Sequence, residues 1–137
     1  MSTRIMVVDD SQELLELFRE LLTDEGYEVV LNAVGIQDIA EVERVQPDLI
    51  ILDHIIGGAA VGLQMVQQLQ MQPATATIPV IVCTAASLAP EETEGYLQAP
   101  GIRLVLKPFD VDDLLQCVRC ALPLDAGALV PGPTDRD

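Results

Sequence analysis

No apolar run in this sequence approaches the ~20 residues that a membrane-spanning helix needs. No basic, apolar, small-residue leader opens the chain, so secretion gains no support. Positive charge is scarce: seven Lys and Arg stand against 22 Asp and Glu, a formal net charge of −15. Binding to phosphate runs on Lys and Arg, so nucleic acid and anionic membrane are not expected partners. The acidic surface is either a solvated exterior or a docking face for a basic partner. Cysteine is limited to Cys83, Cys117 and Cys120, and an odd count without a secretory signal fits a reducing cytoplasm. Cys117 and Cys120 have a redox spacing, but they fall near the end of a predicted helix rather than at its start, and read as inert. There is one histidine, His54, and no internal repeat. No Gly-rich loop follows Val8-Asp9-Asp10-Ser11, which removes support for a dinucleotide-binding fold.

What is present is a hydrophobic half of the composition, enough for a real core in one domain. The stretch Leu49-Ile50-Ile51-Leu52-Asp53 is an unbroken apolar run that ends in one carboxylate. Its length and its flanking Pro47-Asp48 and Gly57-Gly58 predict a buried parallel strand. A carboxylate inside a core is costly unless paired. At the carboxyl end of a parallel strand it lies where open α/β sheets keep their ligands.

Three further strands are predicted to end in chemistry. Residues 4–8 lead to Asp9-Asp10, residues 78–83 to Thr84, and residues 102–106 to Lys107-Pro108. A second strand is expected over 27–31. Between the strands the apolar spacing changes to that of helices. Leu14, Leu15, Phe18, Leu21 and Leu22 mark the first helix, capped by Asp10 or Ser11 with Glu13 placed to complete the cap, and stopped by Gly26. Weaker periodicity predicts a helix from Gly35 to Val45, with Ile36, Ile39 and Ala40 on one face. Gly57 to Gly62 reads as a small-residue loop before a helix marked by Leu63, Val66 and Leu69. A short helix starts near Pro90, and Asp110 caps a last one carrying Val111, Leu114, Leu115, Val118 and Leu122. Residues 1–122 thus form one domain, and the Pro, Gly and Asp of 123–137 read as a flexible tail. Five βα units in succession imply a parallel sheet with helices on both faces and right-handed crossovers.

Asp9, Asp10 and Asp53 sharing one edge repel one another unless a hard divalent cation such as Mg2+ joins them. Lys107 supplies a compact cation for a phosphoryl oxygen, and Thr84 a hydroxyl donor. A carboxylate can act as nucleophile and form an aspartyl phosphate, with metal and lysine stabilising the transferred group. The set suits phosphoryl transfer onto Asp53.

These motifs, in register over residues 4–122, resemble the receiver domain of bacterial two-component response regulators, the CheY-like family. Val-Val-Asp9-Asp10-Ser11 resembles its acidic pair and helix start, Leu-Asp53 its phosphoacceptor, Cys-Thr84-Ala85 its switch hydroxyl, and Leu-Lys107-Pro108-Phe109 its lysine loop with a cis peptide. The resemblance implies a flavodoxin-like α/β fold, a doubly wound five-stranded parallel sheet of order 2-1-3-4-5. It implies that Asp10, Asp53 and the backbone carbonyl of Ile55 bind Mg2+, with Asp9 helping through water. It further implies a cytoplasmic signalling protein, not an enzyme acting on other substrates, phosphorylated by a histidine kinase or phosphotransfer protein. Signalling then passes to a downstream protein, or through a homodimer on the face of the fourth helix, fifth strand and fifth helix. No DNA-binding or catalytic domain is seen after residue 122, so a stand-alone receiver is expected. The alternative is a degenerate receiver that binds partners without being phosphorylated, against which the intact Asp9, Asp10, Asp53, Thr84 and Lys107 argue. An aspartate-nucleophile hydrolase wants a second acid two residues past the nucleophile, where Ile55 stands.

The chain also departs from the family. Gly57 stands where a proline is usual, Gly62 falls one residue late, and Leu104 replaces a common aromatic or histidine. His54 is expected to point to the opposite face of the strand from Asp53. With Leu104 unable to act as an aromatic switch, a muted conformational response is expected. With Ile55 over the acyl phosphate and Ala86 offering no group to position water, a long-lived phosphoryl group is expected.

Overall fold

The computed structural model describes residues 3–85 and 88–122. Its main sheet has β1 (Arg4–Val8), β2 (Glu28–Asn32), β3 (Leu49–Asp53), β6 (Val80–Thr84) and β7 (Ile102–Leu106), in the order β2-β1-β3-β6-β7, with every neighbouring pair parallel. Around it lie α1 (Gln12–Asp24), α2 (Ile39–Val45), α3 (Gly62–Gln70), α4 (Pro90–Gln98) and α5 (Val111–Ala121). A two-stranded antiparallel hairpin, β4 (Ile55–Ile56) and β5 (Ala59–Ala60), stands between β3 and α3. With that hairpin set aside, the order is the expected 2-1-3-4-5 of a flavodoxin-like, doubly wound sheet.

The apolar runs of β1, β3 and β6 are buried on both sides, and their alternation assigns each residue to a layer. Ile5, Val7, Leu49, Ile51, Ile81 and Cys83 face α1 and α5, where Leu15, Phe18, Leu22, Leu114 and Val118 close the core. Met6, Val8, Ile50, Leu52, Val80 and Val82 face the other layer, with Val42, Val66, Leu69 and Tyr96 from α2, α3 and α4. Each fully buried aliphatic side chain contributes about 1.5–3 kcal/mol, so these two clusters hold the sheet's position against its helices. The same alternation carries Asp53 to the α1/α5 side and His54 to the α3/α4 side.

Local caps set several ends. Ser11, not Asp10, caps α1 by accepting the Leu14 N–H, so Glu13 contributes only a negative charge to the first turn. Asp110 caps α5 as expected. Helix α2 is shorter than the periodicity suggested. The Asn32 side chain accepts the N–H groups of Val34 and Gly35, Gly35 takes φ +96°, and Asp38 caps a helix that begins only at Ile39. Strand β6 begins at Val80 because the Ile78 N–H turns back to Thr75. Strand β2 begins at Glu28 because the Tyr27 N–H still bonds Leu22 at the end of α1. The tail 123–137 and Ala86 lie outside the described residues.

Candidate functional site

Parallel pairing brings the carboxyl ends of β1, β3, β6 and β7 to one edge. Val8 pairs with Leu52, Asp53 with Cys83, and Thr84 with Leu106. The next residue after β1 is Asp9 and after β7 is Lys107. The Lys107 Nζ lies 3.3 Å from Asp53 Oδ1 and 3.7 Å from Asp9 Oδ2. The Lys107–Pro108 peptide is cis. Asp9, Asp10 and Asp53 each turn a carboxylate oxygen into a cluster within 4.8 Å of one another.

The three acids differ in setting. Asp9 is buried, and burial pushes its carboxyl above the ordinary range against the lowering effect of the Ser11 N–H. The charge on Asp53 raises it further, while Lys107 lowers it. Asp10 is exposed, and one of its oxygens accepts the Gly57 N–H at 2.6 Å. That bond comes from the hairpin turn, where Gly57 and Gly58 take φ +64° and +81°, the left-handed pair of a two-residue hairpin turn. A proline at position 57, which the family resemblance led one to expect, has no N–H to give.

A trio of carboxylates with one lysine at its side is the donor set of a hard, oxygen-binding dication. Octahedral Mg2+ takes ligands at about 2.0–2.1 Å, so opposite ligands stand about 4.2 Å apart, near the spacing of this cluster. The residues therefore fit the ion.

Thr84 is buried at the same edge, and its hydroxyl donates to the Ala85 carbonyl at 2.9 Å. The Lys107 N–H bonds the Thr84 carbonyl at 2.7 Å, tying the lysine loop to this strand end. Ile55 lies on the hairpin and is 46 % exposed. Cys117 and Cys120 sit in the last turns of α5, away from its N-terminus, and burial raises the Cys117 thiol.

One grouping was not foreseen. His54 does face away from Asp53, but there its Nδ1 lies 2.5 Å from the Tyr96 Oη and its Nε2 3.3 Å from Glu92 Oε2. A lone histidine and a tyrosine 42 positions apart give no sequence signal of contact.

The chain matches the response regulator receiver domain over residues 5–119. It belongs to that family, the CheY-like receivers of two-component systems. It is 34 % identical over 119 residues to the DNA-binding dual master transcriptional regulator RpaA of Synechocystis, covering 87 % of this chain and 48 % of that protein. It is 31 % identical over 124 residues to sporulation initiation phosphotransferase F of Bacillus subtilis, covering 90 % of this chain and 97 % of that one. The chain thus spans about half the length of the DNA-binding regulator and nearly the whole of the phosphotransferase. Among solved structures, the receiver domain of sensor histidine kinase PA1611 from Pseudomonas aeruginosa superposes with a TM-score of 0.73 at 27 % identity, covering 88 % of this chain and 97 % of that one. That structure has a magnesium ion coordinated in its active-site cleft. No described helix is long and apolar enough to cross a membrane.

Proposed function

We propose that this receiver accepts a phosphoryl group on Asp53 from a histidine kinase or histidine phosphotransfer protein and works as a stand-alone intermediate in a phosphorelay. The observation that carries the reading is Lys107 Nζ at 3.3 Å from Asp53 Oδ1 beside the trio of carboxylates. An Asp53 oxygen attacks phosphorus as the bond to the donor nitrogen breaks. The electron pair leaves with that nitrogen. Lys107 neutralises one phosphoryl oxygen, and the Thr84 hydroxyl leaves the Ala85 carbonyl to donate to another. Asp9, Asp10, Asp53 and the Ile55 carbonyl would hold Mg2+, which supplies charge neutralisation at the phosphoryl oxygens when bound.

The likeness to a named phosphotransferase supports the relay role. So does Ile55, two residues past Asp53 and exposed on the hairpin, if its apolar side chain hinders attacking water and so favours a long-lived phosphoryl group. In this reading the protein acts in the cytoplasm as a signalling module, with no substrate beyond its own Asp53. Its output passes to a downstream protein, or to a second copy, through the face of α4, β7 and α5, where Leu97 and Leu106 are exposed.

The test is intact mass after incubation with Mg2+ and acetyl phosphate. Wild type gains one phosphoryl mass and Asp53→Asn gains none. A variant that still gains it at an Asp overturns the assignment. In the same preparation Mg2+ raises the thermal midpoint of wild type by binding the folded state, and the shift vanishes in Asp10→Ala.

A further inference from the structure

We propose that His54 and Tyr96 form a latch that ties α4 to the strand carrying Asp53 and restrains the helix from moving when Asp53 is phosphorylated. The proposal rests on the receiver reading above and assigns it an internal restraint.

His54 is fixed at its backbone from two sides. Its N–H donates to the Cys83 carbonyl at 3.0 Å, at the end of β6. Its carbonyl accepts the N–H groups of Val61 and Gly62, at 3.1 and 3.0 Å, where α3 begins. The side chain projects toward α4 from a backbone held at both its N–H and its carbonyl. Glu92 and Tyr96 are its partners, one turn apart on that helix. A carboxylate only accepts, so the imidazole turns an N–H toward Glu92. In the neutral ring Nδ1 is then the acceptor, and the Tyr96 hydroxyl donates to it. The two rings meet edge to face, centroids 5.5 Å apart at 74°.

Tyr96 is wholly buried and is the one buried residue of α4 among those described. The helix is otherwise weakly amphipathic, and its seating rests on this side chain together with the close approach of Gly95 to Leu63 of α3. Sliding or turning α4 would strand a buried hydroxyl and a buried imidazole, both costly without partners. Glu92 also accepts the Ala89 N–H, so the first turn of α4 is held from the same residue.

A second observation points the same way. Any Cβ at Gly62 would collide with the Tyr96 Oη and come within 2.8 Å of His54 Cα. The start of α3 is kept bare at the place where this contact is made. Leu104, where the family commonly has an aromatic or histidine, packs as an aliphatic against the same cluster that Tyr96 fills. The aromatic here comes from α4 itself.

The test uses the full chain, wild type, Tyr96→Phe, His54→Phe and the double variant. Amide hydrogen exchange is followed with and without Mg2+ and beryllofluoride. Without the mimic, Tyr96→Phe speeds exchange in α4 about fivefold to tenfold, the scale of one lost hydrogen bond, and leaves α1 and α5 unchanged. His54→Phe, which also loses the Glu92 contact, does at least as much, and adding Tyr96→Phe to it changes nothing further. With the mimic, α4 exchange changes little in wild type and strongly in Tyr96→Phe. Unchanged α4 exchange in unliganded Tyr96→Phe, a uniform rise over all helices, or equal responses of the two proteins to the mimic each overturn the latch. A mimic that shifts no amide at Asp53 or Lys107 in wild type overturns the receiver reading and the latch with it. That outcome is distinguishable because the site itself stays silent.

Discussion

On one face of the sheet, α1 and α5 lay Leu15, Phe18, Leu22, Leu114 and Val118 against Ile5, Val7 and Ile51, with Phe18 and Phe109 rings 5.7 Å apart. On the other, α4 offers Tyr96 alone among its described residues, and its hydroxyl is matched to a histidine. The first face is held by many equivalent apolar contacts, so losing one leaves the rest. The second depends at α4 on a few directional contacts, those of Tyr96 and Glu92 to His54. A hydrogen bond weakens steeply with angle and distance, so a displacement that apolar packing tolerates costs the second face more. The site edge lies across both, with Asp53 turned to the first face and His54 to the second.

Leu114→Ala should produce the largest loss. A fully buried leucine cut back in a close-packed layer costs about 2–5 kcal/mol. Urea unfolding followed at several helices should show one shared transition moved to lower denaturant. Separate transitions for α1 and α5 would break the picture of a uniform face. Gly62→Ala should cost about 1–3 kcal/mol, since the new methyl meets the backbone of His54 and the Tyr96 Oη. Its damage should appear first as faster exchange in α3 and α4. In the double variant with Tyr96→Phe the cost should be less than the sum, because removing the hydroxyl clears part of the space. Strict additivity would separate Gly62 from the tyrosine.

The smallest effect concerns the thiols. Burial pushes the Cys83 thiol up to about 12, so at neutral pH it is protonated and unreactive. Cys120 is exposed. Iodoacetamide on the native protein should label Cys120 first and leave Cys83 untouched until the chain unfolds. Labelling of Cys83 at the same rate would mean that the sheet opens on the α1/α5 side far more readily than its packing implies.

The edge was legible in the sequence because period-two burial is written in each short apolar run, and the residue after each run had to lie at the sheet's end. Asp9, Asp10, Asp53, Thr84 and Lys107 came together for that reason. The hairpin was missed, although Gly57-Gly58 between two pairs of residues is a turn signal. Its strands are only two residues long, too short for alternation to register. The start of α2 was misjudged because Ile36 is buried, as the periodicity suggested, while sitting in a loop that Asn32 holds. The direction of His54 followed from alternation. Its partner did not, because a contact across 42 positions is decided by the packing of α4 and not by any local pattern.

The hairpin between β3 and α3 starts one residue after His54 and ends at Val61 and Gly62, whose amides both return to the His54 carbonyl. It is a loop already closed at its base. Lengthening such a loop at its tip adds little closure entropy, because that cost grows only with the logarithm of length. A Cβ at Gly58 would meet no neighbouring atom within 4 Å. The turn overlooks the acidic edge and is tied to it by the Gly57 N–H on Asp10. An environment-sensitive dye carried after Gly58 would therefore report both on what enters the cleft and on that bond, while the sheet beneath stays as it is.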